Sequence, residues 1–158
     1  MSKAAEEFKA DRLHQEFGKW LQGYAWEVWG TAEFDPQKPL RDALRARAYV
    51  ERYIKNSLYR PGVPFSYFLA VERFSHSMNT HVHFLLAGVG GLTYREMGAP
   101  WWEKHHGYFY VEKYDPKLGA GFYLTKYITK NLCDWDFRLK PEHIREYSLF
   151  NVQKGPAS

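Results

Sequence analysis

The chain has 158 residues, a formal net charge of +4, and a composition of 45% hydrophobic, 25% charged and 18% aromatic residues. This length fits one domain, and the composition is typical of a packed globular protein rather than a disordered one. The single cysteine, Cys133, excludes an internal disulfide framework and a cysteine-rich zinc cluster. The charged N-terminal segment and the lack of a long apolar run predict neither a signal peptide nor a membrane span, so we expect a cytoplasmic protein.

Hydrophobic periodicity and breaker residues predict one helix followed by the order β-α-β-β-α-β-α. The predicted helices cover 3–22, 40–58, 94–105 and 120–132, the predicted strands cover 24–34, 65–74, 80–88 and 107–114, and a last strand is expected within 135–150. This order predicts an α+β fold of the split-βαβ, ferredoxin-like class, a central antiparallel sheet with helices on one face. We expect an N-terminal helix in 1–23, one domain over 24–150 and a flexible tail over 151–158.

Two histidines separated by one residue, His81 and His83, lie in the third predicted strand. Because a strand points alternate side chains to opposite faces, the two imidazoles share one face. Side by side on a rigid strand, they can coordinate one divalent metal. The chain has seven histidines, so the spacing can also arise by chance.

A third ligand is available on the other arm of the predicted hairpin, where Glu72 precedes His81 by nine residues. If the connection holds four residues, Glu72 lies directly across from His81 on the same face, whereas a register shift of one residue moves it to the other face. A carboxylate and two imidazoles make a three-ligand site with open positions for substrate oxygens or water. His76, in the connection, is an alternative third ligand, and an exposed Glu72 at a strand end is the alternative without a metal.

The last predicted helix carries Tyr123, Tyr127 and Lys130 along one stripe. Tyrosine is a competent nucleophile at phosphorus, but its unperturbed pKa of about 10 leaves it protonated at neutral pH. It needs an activated phosphate, which a metal on the histidine strand supplies, or a nearby cation, which Lys126 or Lys130 supplies. Two core tyrosines at helical spacing are the alternative. Together, the two motifs describe metal-assisted transesterification of a phosphodiester by tyrosine.

These residues also resemble a known family. The segment His81-Val82-His83 fits the histidine–hydrophobic–histidine signature of the HUH endonuclease superfamily. The run from Tyr123 to Lys130 looks like the Y-x-x-K-Y-x-x-K signature of its phage-type rolling-circle replication initiators, the Rep proteins of small plasmids and single-stranded DNA phages. The family's first-motif strand corresponds to 28–34, and the resemblance covers 24–131. The resemblance implies that 24–150 is an HUH nuclease domain. The predicted strand order agrees with the family fold.

The resemblance implies a site-specific single-stranded DNA endonuclease and strand transferase. His81 and His83 would be metal ligands, with Glu72 the third by position, and the metal would be Mg²⁺ or Mn²⁺. Tyr127 would attack the scissile phosphate, leaving a 5′-phosphotyrosine and a free 3′-hydroxyl. Tyr123 would be a second nucleophile for the closing transfer or a helper.

The resemblance also implies the partners. Lys130 would orient the tyrosine or the phosphate, and Lys126 would contact the DNA backbone. The chain has no P-loop, so strand separation would need a host helicase, supercoiling or a cruciform, and a host polymerase would extend the 3′-hydroxyl. We expect single-stranded DNA or the loop of a hairpin origin as substrate, with bases stacked on exposed aromatic rings. Candidate DNA contacts on the second helix are Arg45, Arg47 and Arg52.

Two other functions stay open at this stage. A single-tyrosine transposase of the same superfamily uses the same chemistry, although the paired tyrosines favour an initiator. A non-catalytic nucleic-acid-binding module would keep the fold without needing both a metal triad and a nucleophile. Two-histidine phosphoesterases need two copies of H-x-[ST], and the chain has none.

Overall fold

The structure is a computed structural model that describes residues 2–58, 61–90, 93, 95–119 and 132–144. These residues form three α-helices, five strands and a short 3-10 helix. In chain order the elements are α1 (Lys3–Gln22), β1 (Val28–Glu33), α2 (Ala43–Leu58), β2 (Ser66–Arg73), β3 (Thr80–Ala87), α3 (Ala99–His105), β4 (Phe109–Lys113), β5 (Leu132–Arg138) and the 3-10 helix Pro141–His143. No helix within the described ranges combines the length and the apolar character needed to cross a bilayer.

The strands form one sheet in the order β4-β1-β3-β2-β5, and every neighbouring pair is antiparallel. Strands β1 and β2 therefore run in the same direction on either side of β3, and α2 joins them. This is the split β-α-β arrangement. The prediction of a single-domain α+β fold with a central antiparallel sheet is confirmed.

The two faces of the sheet carry separate hydrophobic clusters. On one, which we call the helix face, α2 and α3 pack over alternate strand residues that include Val82 and Phe84. On the other, the histidine face, a smaller cluster joins Trp29 and Leu85 to Leu21 near the end of α1. The expectation that helices lie on one face therefore holds for α2 and α3 but not for α1, whose Leu21 is fully buried on the histidine face.

Local chemistry explains where the elements begin. Helix α2 begins at Ala43, later than predicted, because the Asp42 carboxylate accepts a hydrogen bond from the backbone N–H of Arg45 and caps the first turn. Helix α3 also begins later than predicted, after Gly98, whose φ of 71° is left-handed and ends any preceding helical run.

The C-terminal part of the chain differs from the prediction at one described residue. Leu132 was expected to end the last helix, but it begins β5, where it pairs with Glu72. The rest of that predicted helix, with Tyr123, Lys126, Tyr127 and Lys130, lies outside the described residues, as does the segment 147–150.

An ion-pair fork fastens α2 to the outer strand β5. The Arg47 Nε donates to Asp134 Oδ2 at 2.6 Å, and its Nη1 donates to Asp136 Oδ2 at 2.8 Å. Burial lowers the pKa of the Arg47 guanidinium, but the hydrogen bonds and charges of Asp134 and Asp136 outweigh it, and the pKa is raised. Arg47, a candidate DNA contact in the sequence, thus uses its guanidinium to bind β5 to α2.

We expect Arg47→Gln to lower the free energy of unfolding by about 1–2 kcal/mol, because it leaves two partly buried carboxylates without their fork. For a chain of this size that corresponds to a melting temperature lower by about 2–8 °C. Thermal melts followed by circular dichroism measure the change. Arg52→Gln, on the exposed side of the same helix, is the matched control and should change stability by less than about 0.5 kcal/mol. Equal melting temperatures for the two variants would contradict a structural role for Arg47.

Candidate metal centre

Three side chains that can bind a metal converge on the histidine face. Glu72 Oε2 lies 3.2 Å from His81 Nε2 and 3.6 Å from His83 Nε2. The three residues offer one ligand atom each, all within 4.8 Å of one another. Each is buried, with 4% of Glu72, 9% of His81 and 5% of His83 exposed.

The hairpin of β2 and β3 brings these groups together. Its register pairs Glu72 with His81, and the backbone N–H of Phe74 closes the turn by donating to the Asn79 carbonyl at 2.9 Å. The connection therefore holds the four residues 75–78, the condition under which the sequence predicts Glu72 on the histidine face. That register is confirmed.

Two residues of β1 contact the His83 ring. Its Nδ1 is 2.9 Å from Thr31 Oγ1, and its ring stacks on the Trp29 ring at 5.4 Å and 16°. When the Nε2 of His83 is a metal ligand, its Nδ1 carries the ring proton and donates a hydrogen bond to the Thr31 hydroxyl. Such a partner for the second ring nitrogen fixes the orientation of a metal-binding histidine.

His81 is held mainly by aromatic packing. Its ring lies 4.3 Å from the Phe74 ring and 4.8 Å from the His83 ring. Its Nε2 faces Glu72, whereas its buried Nδ1 has no hydrogen-bond partner among the described residues. A buried polar atom left in this way costs free energy, which the rest of the structure must offset.

Two of the three donor spacings, those from Glu72 to the histidines, are close to what one metal ion requires. Ligands about 2.1 Å from an ion lie about 3.0–3.4 Å from each other for octahedral to tetrahedral angles. The distances of 3.2 and 3.6 Å from Glu72 Oε2 to the two Nε2 atoms are within a few tenths of an ångström of that range. A desolvated carboxylate also favours a cation. Two imidazoles with one carboxylate suit Mn²⁺ better than Mg²⁺, which prefers oxygen ligands.

The other candidate residues lie elsewhere. His76 is exposed in the turn and packs at 5.8 Å from the Phe74 ring, so of the two alternatives for the third ligand the structure brings Glu72 into the group. Arg45 and Arg52 are exposed on α2, which packs on the helix face. A role for them in binding DNA stays a prediction.

Sequence reasoning missed the residues that position the histidines. Thr31 and Trp29 lie in the segment that resembles the family's first motif, but their contacts with His83 depend on the register of β1 with β3. Those strands are separated along the chain by α2 and β2, so no local pattern gives that register. The available signal was that Trp29 and Thr31, two residues apart on one predicted strand, share a face.

Two pairs of exposed aromatic residues flank the site on the histidine face. Tyr110 on β4 pairs with Thr31 on β1, and Trp135 on β5 pairs with Ala70 on β2. Each of the two rings therefore lies two strands away from β3, one on each side of it. Each ring lies near-parallel to a neighbour at an interplanar angle of 11°, Tyr110 with Tyr108 and Trp135 with Phe137. Between 39% and 53% of each of these four residues is exposed. The group of Glu72, His81 and His83 thus lies between two aromatic surfaces.

Comparison of the chain with protein-family models, with curated proteins and with solved structures finds no match.

Metal binding gives a direct prediction for the three ligands. Mn²⁺ at 100 times its dissociation constant should stabilise the protein by about 2.7 kcal/mol, since it binds the folded state. That corresponds to a rise in melting temperature of about 5–11 °C. His81→Ala, His83→Ala and Glu72→Gln should each abolish the rise in a thermal-shift titration.

Two further variants test the details of the centre. Thr31→Val should weaken Mn²⁺ binding about 10- to 100-fold without removing a ligand. His76→Ala should bind Mn²⁺ like the wild type. If His76→Ala abolished the thermal shift while Glu72→Gln kept it, His76 and not Glu72 would be the third ligand.

Proposed function

We propose that the protein is a metal-dependent single-stranded DNA nicking and joining enzyme of the HUH type, acting as a rolling-circle replication initiator. The buried group of Glu72, His81 and His83 is the observation that carries the proposal, because these three side chains lie together on the sheet and could hold a metal ion. The substrate would be single-stranded DNA or a hairpin origin, with a host helicase and a host polymerase as partners.

The nucleophile in this proposal is Tyr127, outside the described residues. Leu132, which follows the tyrosine segment along the chain, pairs with Glu72 of the metal-binding group. Tyr127 precedes Leu132 by five positions, so covalent geometry keeps their Cα atoms within about 18 Å of each other. The length of the connection therefore allows Tyr127 to reach the metal-binding group.

In the proposed reaction, the tyrosines, Lys130 and a bound cation each have one role. Tyr127 Oη forms a bond to the scissile phosphorus, the bond from phosphorus to the 3′-oxygen breaks, and the phenol proton is lost as the 3′-oxygen gains one. The products are a 5′-phosphotyrosine and a free 3′-hydroxyl. A bound divalent cation would neutralise the phosphoryl oxygens during this transfer. Lys130 would orient the phenol or the phosphate, and Tyr123 would serve the closing transfer.

The aromatic pairs support a single-stranded substrate. Unpaired bases stack on exposed rings without sequence preference, and duplex bases cannot, because they are already stacked. The rings of Tyr110 and Trp135 lie on the same face as His83, about 10 Å away on either side at ordinary strand spacing. A strand crossing the metal site would therefore meet a stacking surface before and after the scissile phosphate.

Covalent capture tests the proposal. The protein is mixed with Mn²⁺ and a randomised single-stranded DNA pool, and an adduct that survives SDS is sought by gel and mass spectrometry. We expect an adduct that is abolished by Tyr127→Phe, by a chelator and by His81→Ala. Sequencing of the captured strands would give the recognised site.

Tyr24→Phe is the matched control, because it removes a phenol from a partly buried tyrosine that packs on the histidine-face cluster and lies outside both aromatic pairs. It should form the adduct at the wild-type rate. Binding of the pool without any adduct would contradict the nuclease proposal and favour a non-catalytic nucleic-acid-binding module. An adduct that depends on Tyr123 instead of Tyr127 would exchange the roles of the two tyrosines.

A further inference from the structure

A groove on the helix face runs along α2 towards α3. It consists of two adjoining cavities of about 420 and about 350 Å³, which share Tyr49 and Arg52 in their linings. The α2 residues that line it recur every three or four positions, the spacing of one helical face, and include Arg45, Tyr53 and Asn56. We call it the α2–α3 groove. It lies on the opposite side of the sheet from the metal centre.

One end of the α2–α3 groove is cationic. Lys38, Arg45 and Arg52 line it, all three are exposed, and no carboxylate among the described residues forms an ion pair with them. His106 also lines this end, where burial lowers its pKa and the charges of His105 and Lys38 lower it further. Three cations that line one cavity without an ion pair among the described residues favour an anion there.

The other end is aromatic. Trp101 lines it with half of its surface exposed, and its ring is near-parallel to the Tyr53 ring, 5.7 Å away at 14°. His105 also lies against Trp101, with ring centroids 4.5 Å apart. Tyr49, 41% exposed, stands between Trp101 and the cationic end. Because half of Trp101 stays exposed beside these neighbours, an unpaired base can stack against its open part.

We propose that the α2–α3 groove is a second binding site for single-stranded DNA, with phosphates at Lys38, Arg45 and Arg52 and a base at Trp101. The choice of DNA as the polyanion rests on the proposed function. From Arg45 to Ser57 the helix spans about 18 Å, the length of about five stacked nucleotides and more than one free nucleotide needs. Because the metal centre is on the other face, the segment bound here flanks the scissile site.

Fluorescence anisotropy tests the groove separately from catalysis. The full chain is titrated into a fluorescein-labelled, mixed-sequence single strand of 20 nucleotides, in chelator, over a series of salt concentrations. Trp101→Ala should weaken binding about 5- to 150-fold, the effect of losing one base stack, whereas Trp101→Phe should stay within about threefold of the wild type. Arg52→Gln should reduce the slope of log K against log salt by about 0.7.

Lys117→Gln is the matched charge control, an exposed lysine in the turn after β4 and outside the groove lining. It should leave the slope unchanged. A second readout uses 5-iododeoxyuridine in the same strand: photocrosslinked peptides should include Trp101 or Tyr49. The proposal is overturned if Trp101→Ala and Arg52→Gln bind like the wild type and crosslinks occur only at Tyr108, Tyr110 or Trp135. Arg52→Gln keeps the test decisive if Trp101→Ala fails to fold.

The two proposals fail in different ways. If the covalent adduct forms but the groove variants bind normally, the groove proposal fails and the nuclease proposal stands. If no adduct forms under any condition but Trp101→Ala and Arg52→Gln lose binding, the nuclease proposal fails and the α2–α3 groove stands as a DNA-binding site.

Discussion

The antiparallel pairing of β2 with β3 is the constraint on which the candidate site depends. Its register aligns Glu72 with His81, and the alternation of a strand then places His83 on the same face. A slip of one residue would turn the carboxylate to the helix face. What prevents the slip is hydrophobic burial, since the paired Val71 and Val82 are fully buried under the helices. Packing on one face thus positions the candidate metal ligands on the other.

The same coupling operates at the edge of the sheet. Asp134 and Asp136 point to the helix face, where Arg47 holds them, and the alternate residues Trp135 and Phe137 are exposed on the histidine face. An ion-pair fork on one side therefore fixes an aromatic surface on the other. The sheet acts as a rigid separator between the metal centre and the α2–α3 groove, so that one strand of DNA bound to both would have to wrap around an edge.

The sequence predicted those parts of the site that depend on residues close together along the chain. The hairpin, its register and the group of Glu72, His81 and His83 follow from nine residues of separation and the period of a strand. The contact of Thr31 with His83 spans 52 residues, and it depends on a sheet order that no short segment encodes. Arg47 reads as a free surface cation in the sequence, because its partners on β5 are 87 and 89 residues away. The tyrosine segment lies outside the described residues, so its place beside the metal group stays a prediction.

A crystal structure of the protein grown with Mn²⁺ would test the metal centre most directly, through the anomalous signal of the ion. The account predicts one strong peak on the histidine face, about 2.0–2.3 Å from Glu72 Oε2 and from the Nε2 atoms of His81 and His83. The His83 Nδ1 should keep its hydrogen bond to Thr31. A peak elsewhere, or none at this group while Glu72 keeps its hydrogen bond to His81, would show that the three residues form a structural cluster and would remove the basis of the proposed chemistry.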